Sequence, residues 1–384
     1  MRVDGLLGKL PAVLLVLLLG ACGGNQVREL QTAQDTLALT GAEKRRWYEA
    51  NELDKVLRNR GILLEDAAAN AYVQNLMDEL YPEFAGSIRA RIAKSSELNA
   101  YALPNGSVYI NLGLLARMHN EAQLAMVLGH EAAHFIEQHG LRQREAVDGM
   151  VVAGVALTVL TGIPFSGQLM MASAMSGYSQ DFERAADQRG FARISERGYD
   201  TRQAAEVFRI MREEVEALDI AQPYLYSSHP KLSERVDTLS EMAGQSPNGN
   251  GTLGLQRFER EVGHLRGRLL AQYLQEQDFK RLMLILEDQQ RRAAYPEYAR
   301  FYLGEAYRLR GDEGDQEKSL QAYRAALEDA PAFAPTYRAL GLQAMQDGDK
   351  AQAIEYLQQY LGLNPAARDR KYIQGYLAKL GKAS

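Results

Sequence analysis

The chain has 384 residues, 46% apolar and 24% charged, a globular balance with length enough for two domains that each bury a core. A net charge of −5 with no basic block argues against nucleic-acid binding and against polyanionic partners. The single cysteine excludes an internal disulfide.

Residues 1–21 read as a signal peptide. Arg2 and Lys9 supply the charged start, and Ala12 to Leu19 is an apolar run too short to span a bilayer. The run ends Leu19-Gly20-Ala21-Cys22, which resembles the bacterial lipobox. That resemblance implies cleavage before Cys22, acylation of its thiol and a lipid anchor in a membrane; the other reading is a plain secretory signal. Gly23 follows in place of an acidic residue, which by resemblance to enteric lipoproteins points to the outer membrane and the periplasm. Residues 22–43 are small and polar and read as a tether.

A first folded unit is expected over 44–243. Lys44 to Arg60 reads as a helix with Trp47, Leu53 and Val56 inward, and Asp66 to Leu80 as a second with Tyr72, Leu76 and Leu80 every four residues. Ile88, Ala90 and Ile92 alternate with arginines as a strand; Leu98–Leu103 and Val108–Ile110 follow around a Pro104-Asn105-Gly106 turn. The spacing predicts a small antiparallel sheet leading into a helix from about Glu121 to His139, with Asn120 as N-cap, Gln123 completing a capping box and Gly140 as stop.

That helix contains His130-Glu131-Ala132-Ala133-His134. Positions i and i+4 share a helix face, so two imidazoles can aim at one ion while Glu131 reaches a water beside it. The alternative is a helix that carries two histidines and a glutamate by chance. His139, five residues beyond His134, is expected to face away, on the surface. A third ligand has to come from elsewhere. Glu137 and Gly140 stand where a metzincin needs glycine and histidine, which excludes that class. Glu183 and Asp187, spaced i, i+4 on a later helix, offer a ligand and a carboxylate able to fix a ligand imidazole's tautomer. Between the two helices, Val151 to Met175 is apolar and broken at Gly162–Gly167, a buried hairpin, a mobile lid or a membrane-touching face.

Several segments agree in order with one family. Leu98-Asn99-Ala100-Tyr101-Ala102-Leu103-Pro104, the His130 to His134 motif, Glu183 through Gly190, Gly198-Tyr199-Asp200 and Ser228-His229-Pro230 with Glu234-Arg235 resemble the gluzincin metallopeptidases of the HtpX and CAAX-prenyl-protease type. The resemblance implies one zinc ion (Zn2+) on His130, His134 and Glu183, Glu131 as general base, and a mainly α zincin-like domain carrying that small sheet. His229 has three readings: donor to the oxyanion, latch on the open metal position, or turn histidine. Arg235 orients carboxylates or substrate, or makes a structural ion pair. If Asn99, Ala100 and Tyr101 lie on an edge strand, an extended substrate can pair with their backbone.

Gly244-Gln245-Ser246-Pro247-Asn248-Gly249 opens a linker over 244–254, and 255–384 carries helical patterns without strand signals. Tyr337, Leu340, Gly341, Gly348, Ala353, Leu357 and Pro365 fit the 34-residue tetratricopeptide template. Leu303, Gly304, Tyr307, Tyr323, Ala326 and Pro331 fit it one repeat earlier, with a short insertion. The combination resembles the periplasmic BepA-type proteases. It implies an endopeptidase for unfolded or misassembled envelope proteins, in contact with the outer-membrane barrel assembly machinery. The alternative is a non-proteolytic chaperone or scaffold; a purely structural zinc site would need His229 as a fourth ligand.

Overall fold

The computed structural model describes residues 27–143, 179–218 and 232–382. Cys22 and the signal segment, the Val151–Met175 stretch and His229 lie outside the described residues. Among the described residues the chain is mainly helical with one three-stranded sheet, and no helix there is long and apolar enough to cross a membrane.

Helix α1 (Gly41–Asn59) starts at Thr40, whose side chain accepts from the Glu43 N–H while the Glu43 carboxylate accepts from the Thr40 N–H. Its buried face is not the one expected. Leu53 and Val56 are exposed, and Ala50 and Asp54 point inward. The cause is polar: the Tyr109 hydroxyl donates to Asp54 at 2.5 Å, and Arg58 and Arg91 lie 2.9 and 3.4 Å from it. A carboxylate with three partners outweighs two aliphatic side chains in fixing the helix's rotation. Helix α2 (Ala67–Leu80), capped by Asp66, buries Tyr72, Leu76 and Leu80 as the four-residue spacing requires.

The sheet contains β1 (Arg89–Ala93), β2 (Ala100–Ala102) and β3 (Ser107–Asn111) in the order β1-β3-β2. It is mixed, not antiparallel throughout: β3 pairs with β2 antiparallel and with β1 parallel. After β1 the chain crosses to the far side before turning back at Gly106, whose φ is +80° and where a Cβ would press on Phe135 at 3.2 Å. The short hairpin therefore inserts β3 in the middle and leaves β2 at an edge.

Helix α3 (Leu112–Arg117) leads into α4 (Glu121–Ile136), and every residue of α4 is buried. The Asn120 side chain accepts from the Gln123 N–H at 3.0 Å, but the Gln123 side chain accepts from the His119 N–H and not from the N-cap. Enclosing Leu124, Leu128 and Ile136 completely contributes about 1.5–3 kcal/mol each. Glu121 is buried in the first turn, where the N-terminal dipole favours a carboxylate, and accepts from the Tyr72 and Tyr199 hydroxyls at 2.9 Å each.

Helices α5 (Gln180–Glu196), α6 (Gln203–Ala217) and α7 (Leu232–Gln245) pack around α4, and α8 (Leu255–Gln275) and α9 (Phe279–Leu286) extend the same core. The 244–254 stretch is stitched down: the Thr252 N–H donates to Gly198 O at 2.9 Å and the Ala122 N–H to Leu253 O at 3.2 Å. Deeper in, Glu214 lies 2.8 Å from Arg117 and 2.7 Å from Arg281, joining α3, α6 and α9 through buried charges. After the short α10 (Gln289–Arg292), α11 (Ala299–Arg310) with α12 (Asp315–Asp329) and α13 (Ala334–Gln346) with α14 (Lys350–Leu363) form two helical hairpins, closed by α15 (Arg370–Lys382). Gly304 faces Tyr323 in the first and Gly341 faces Leu357 in the second, so the same small-on-large contact closes both.

Candidate metal centre

Two glycines set the distance between α4 and α5. A Cβ on Gly129 would stand 3.1 Å from Gly190 Cα, and one on Gly190 would stand 3.0 Å from the His130 nitrogen. The helices run antiparallel in near backbone contact, which brings Glu183 opposite His134 and Asp187 opposite His130. The Tyr81 hydroxyl donates to Gly129 O at 3.2 Å and fixes the crossing point from the other side.

Around that crossing His130, His134 and Glu183, all buried, converge. His130 Nε2 lies 3.0 Å from His134 Nε2 and 3.5 Å from Glu183 Oε2, and His134 Nε2 lies 3.4 Å from Glu183 Oε1. A tetrahedral ion with bonds of about 2.0–2.1 Å sets its donors about 3.3 Å apart, so the two imidazole nitrogens and the Glu183 carboxylate fit a zinc-sized ion. Two imidazoles and a carboxylate are also a donor set suited to zinc.

The outer partners select the tautomers. His130 Nδ1 is 3.0 Å from Asp187 Oδ1, a carboxylate that favours the proton on Nδ1 and so turns the Nε2 lone pair toward His134 and Glu183. Arg235 holds Asp187 with two hydrogen bonds, 2.9 Å from Nε and 2.7 Å from Nη2; its Nη1 lies 3.5 Å from Glu183, and its guanidinium stacks 3.8 Å over the Phe208 ring. Arg235 is thereby ion-paired to both carboxylates. Burial pushes the Asp187 carboxyl up, but Arg235 and His130 outweigh it and hold the group below its ordinary range, ionised at neutral pH.

Glu131, 3% exposed, lines a small cleft with Asn99, Ala100, His130 and Phe208. The cleft runs along the edge strand β2. Asn99 O and the Leu103 N–H bond to β3, so by alternation Ala100 and Ala102 turn their backbone groups to the open side. Tyr101 points the other way and stacks on Tyr109, ring centroids 5.2 Å apart. Its side chain is therefore not part of the cleft, while Asn99 and Ala100 are.

His139 corrects the sequence expectation. It is fully buried, with Nδ1 2.9 Å from His134 Nδ1 and its ring stacked on Phe182 at 4.3 Å. The helix stops at Ile136, three residues earlier than predicted, and Gln138 takes a left-handed φ of +53°. That turn swings His139 back against His134, where an uninterrupted helix would aim it away. Its Nε2 lies 3.2 Å from Glu137 Oε2, and this contact holds the Glu137 carboxyl below its ordinary range. Gly129, Gly190 and Phe208 also belong to the surroundings of the site. The two glycines carry a faint signal, each lying close to a candidate ligand on a helix that has to touch the other; Phe208 carries none.

Comparison with known proteins agrees with this geometry. Residues 67–243 match peptidase family M48. The chain is 25% identical over 205 residues, 49% of its length, to the beta-barrel assembly-enhancing protease of Escherichia coli K12, and 26% identical over 209 residues to a protein of that type in Vibrio cholerae serotype O1. It is 27% identical over 161 residues, 40% of its length, to metalloprotease YcaL of Escherichia coli K12. These alignments span 42%, 43% and 61% of the relatives, so the chain covers only about half the length of the proteins it resembles.

Proposed function

We propose, from the premise that residues 67–243 are a peptidase family M48 domain, that this chain is a zinc-dependent endopeptidase of the bacterial envelope. Its substrates are unfolded or misassembled outer-membrane proteins. The observation that carries the reading is the convergence of His130, His134 and Glu183 at 3.0–3.5 Å, with Glu131 beside them in a cleft along an open strand edge.

His130, His134 and Glu183 would hold one zinc ion, which would supply Lewis acidity and make a water acidic enough to ionise near neutral pH. Glu131 takes a proton from water on the cleft side and returns it to the leaving amine. Asp187 keeps His130 in the tautomer that presents Nε2, and Arg235 keeps Asp187 ionised and aimed. The outward backbone of Ala100 and Ala102 pairs with an extended substrate, a mode that depends little on substrate side chains and suits unfolded chains. His229 belongs to this proposal as a donor to the oxyanion or as a latch on the site.

The lipobox supports anchoring through Cys22 to the outer membrane, with the peptidase facing the periplasm. The names of the Escherichia coli and Vibrio relatives support a role around barrel assembly and contact with its machinery. The recurring glycine contact in the two helical hairpins supports the tetratricopeptide reading of 255–384, which offers a surface for substrate or partner. The test is zinc content together with casein cleavage by the soluble form beginning at Gly23, set against Glu131→Gln. Both proteins should bind one zinc, and cleavage should fall by at least about 100-fold in the variant. Equal cleavage rates with stoichiometric zinc would instead favour the non-proteolytic chaperone or scaffold.

A further inference from the structure

Both candidate ligand imidazoles are held from behind, but by different groups. Behind His130 stands a carboxylate, Asp187, fixed by Arg235. Behind His134 stands another imidazole. We propose that His139 is a positioning residue that fixes the tautomer and direction of His134, making the metal site depend on the left-handed turn after α4. This rests on the zinc-peptidase reading above.

The argument is one of proton placement. His134 Nε2 faces His130 and Glu183, so its lone pair has to be free toward the ion. The proton of a neutral His134 then sits on Nδ1, 2.9 Å from His139 Nδ1. Two ring nitrogens at that distance share one hydrogen bond only if one is a donor and the other an acceptor. His139 Nδ1 therefore accepts, and the His139 proton lies on Nε2, the atom 3.2 Å from the Glu137 carboxylate. One proton arrangement fits the row: His134 donates to His139, and the His139 Nε2 proton lies in charge contact with the Glu137 carboxylate.

The row is clamped along its length. The His139 ring lies flat on Phe182, the residue before ligand Glu183, at an interplanar angle of 18°. Arg189 reaches Glu137 from α5 and pairs with Glu29 on the N-terminal segment. That segment also caps the end of α4: the Leu30 N–H donates to Ile136 O at 2.9 Å, and Gln138 Nε2 donates to Arg28 O at 2.6 Å. The turn that carries His139 is thus held by residues a few positions after Cys22, and a buried aromatic used only for packing would not need this polar support.

The test compares His139→Phe, which keeps the ring and its stacking on Phe182 but loses the acceptor, with His139→Asn, whose side-chain oxygen falls near the place of Nδ1. Zinc affinity is measured on the metal-free Gly23 form by competition with a chromogenic chelator, and the absorption of the cobalt-loaded protein reports the geometry of the site. We expect His139→Phe to raise the zinc Kd about 10–100-fold and to alter the cobalt spectrum, with the metal-free Tm unchanged. His139→Asn should stay within about 3-fold of the parent Kd. A His139→Phe Kd within about 3-fold of the parent overturns the proposal, as does equal loss in both variants accompanied by a lower metal-free Tm. Should His139→Phe not fold, Glu137→Gln, which leaves the ring in place, must weaken zinc binding several-fold or the proposal falls. A parent chain that binds no zinc would sink the peptidase reading itself, a result distinct from all of these.

Discussion

Replacing Gly190 by alanine tests whether the distance between α4 and α5 makes the site. The new Cβ would stand 3.0 Å from His130 N, 3.3 Å from Gly129 C and 3.4 Å from His130 Cα, all backbone atoms of a fully buried helix. Ordinary contacts of this kind lie at about 3.5–4.0 Å, so α5 has to retreat by roughly 0.5 Å. Overpacking of this sort costs about 1–3 kcal/mol, and the gain from alanine over glycine within a helix offsets about 1 kcal/mol of it. Stability should therefore fall by no more than about 2 kcal/mol. The site should suffer more, because Glu183 rides on the displaced helix, and metal and catalytic groups tolerate only about 0.5 Å of error. We expect the zinc Kd to rise by about 10-fold or more and kcat/KM on a fluorogenic peptide to fall about 10–100-fold. Gly375→Ala is the control: it lies in a helix where a Cβ meets nothing within 4 Å, and zinc binding should not change. A Gly190→Ala protein with parental zinc affinity and turnover would refute the claim that helix spacing sets the ligand geometry.

Two further outcomes concern buried charge. Glu214→Ala leaves Arg117 and Arg281 buried without their shared carboxylate and should destabilise the chain by about 3–5 kcal/mol in urea denaturation; a change under about 1 kcal/mol would mean that this ion group does not join α9 to the peptidase body. For Asp54, burial pushes the carboxyl up, but the Tyr109 and Ser107 hydroxyls with Arg91 and Arg58 outweigh it and leave the pKa below the ordinary value. A depressed native pKa gives stability that is complete above the unfolded value near ~3.9 and is lost as pH falls through the native one. The stability gap between the parent and Asp54→Asn should thus be present at pH 6 and narrow below about pH 4, and a gap that is absent at pH 6 or constant on acidification contradicts it.

Much of this protein is written locally. The i, i+4 pairs His130/His134 and Glu183/Asp187, the caps Asp66 and Asn120, and the strand alternation around Ile92 are short-range patterns, and helix and strand geometry alone turn them into shared faces. The same holds for the segment order that resembles one peptidase family and for the glycine spacing in the helical hairpins. What the tertiary structure decided are the features that depend on two distant segments meeting. The parallel pairing of β1 with β3 follows from where the chain crosses the sheet, and the rotation of α1 from the Asp54 partners on β1 and β3. His139 is the sharpest case. By sequence it sits five residues past a ligand and points away; a single left-handed residue at Gln138, held by the N-terminal segment, turns it inward against His134. Backbone reversals of this kind depend on the partners that satisfy them, and those partners lie about 110 residues away in the chain.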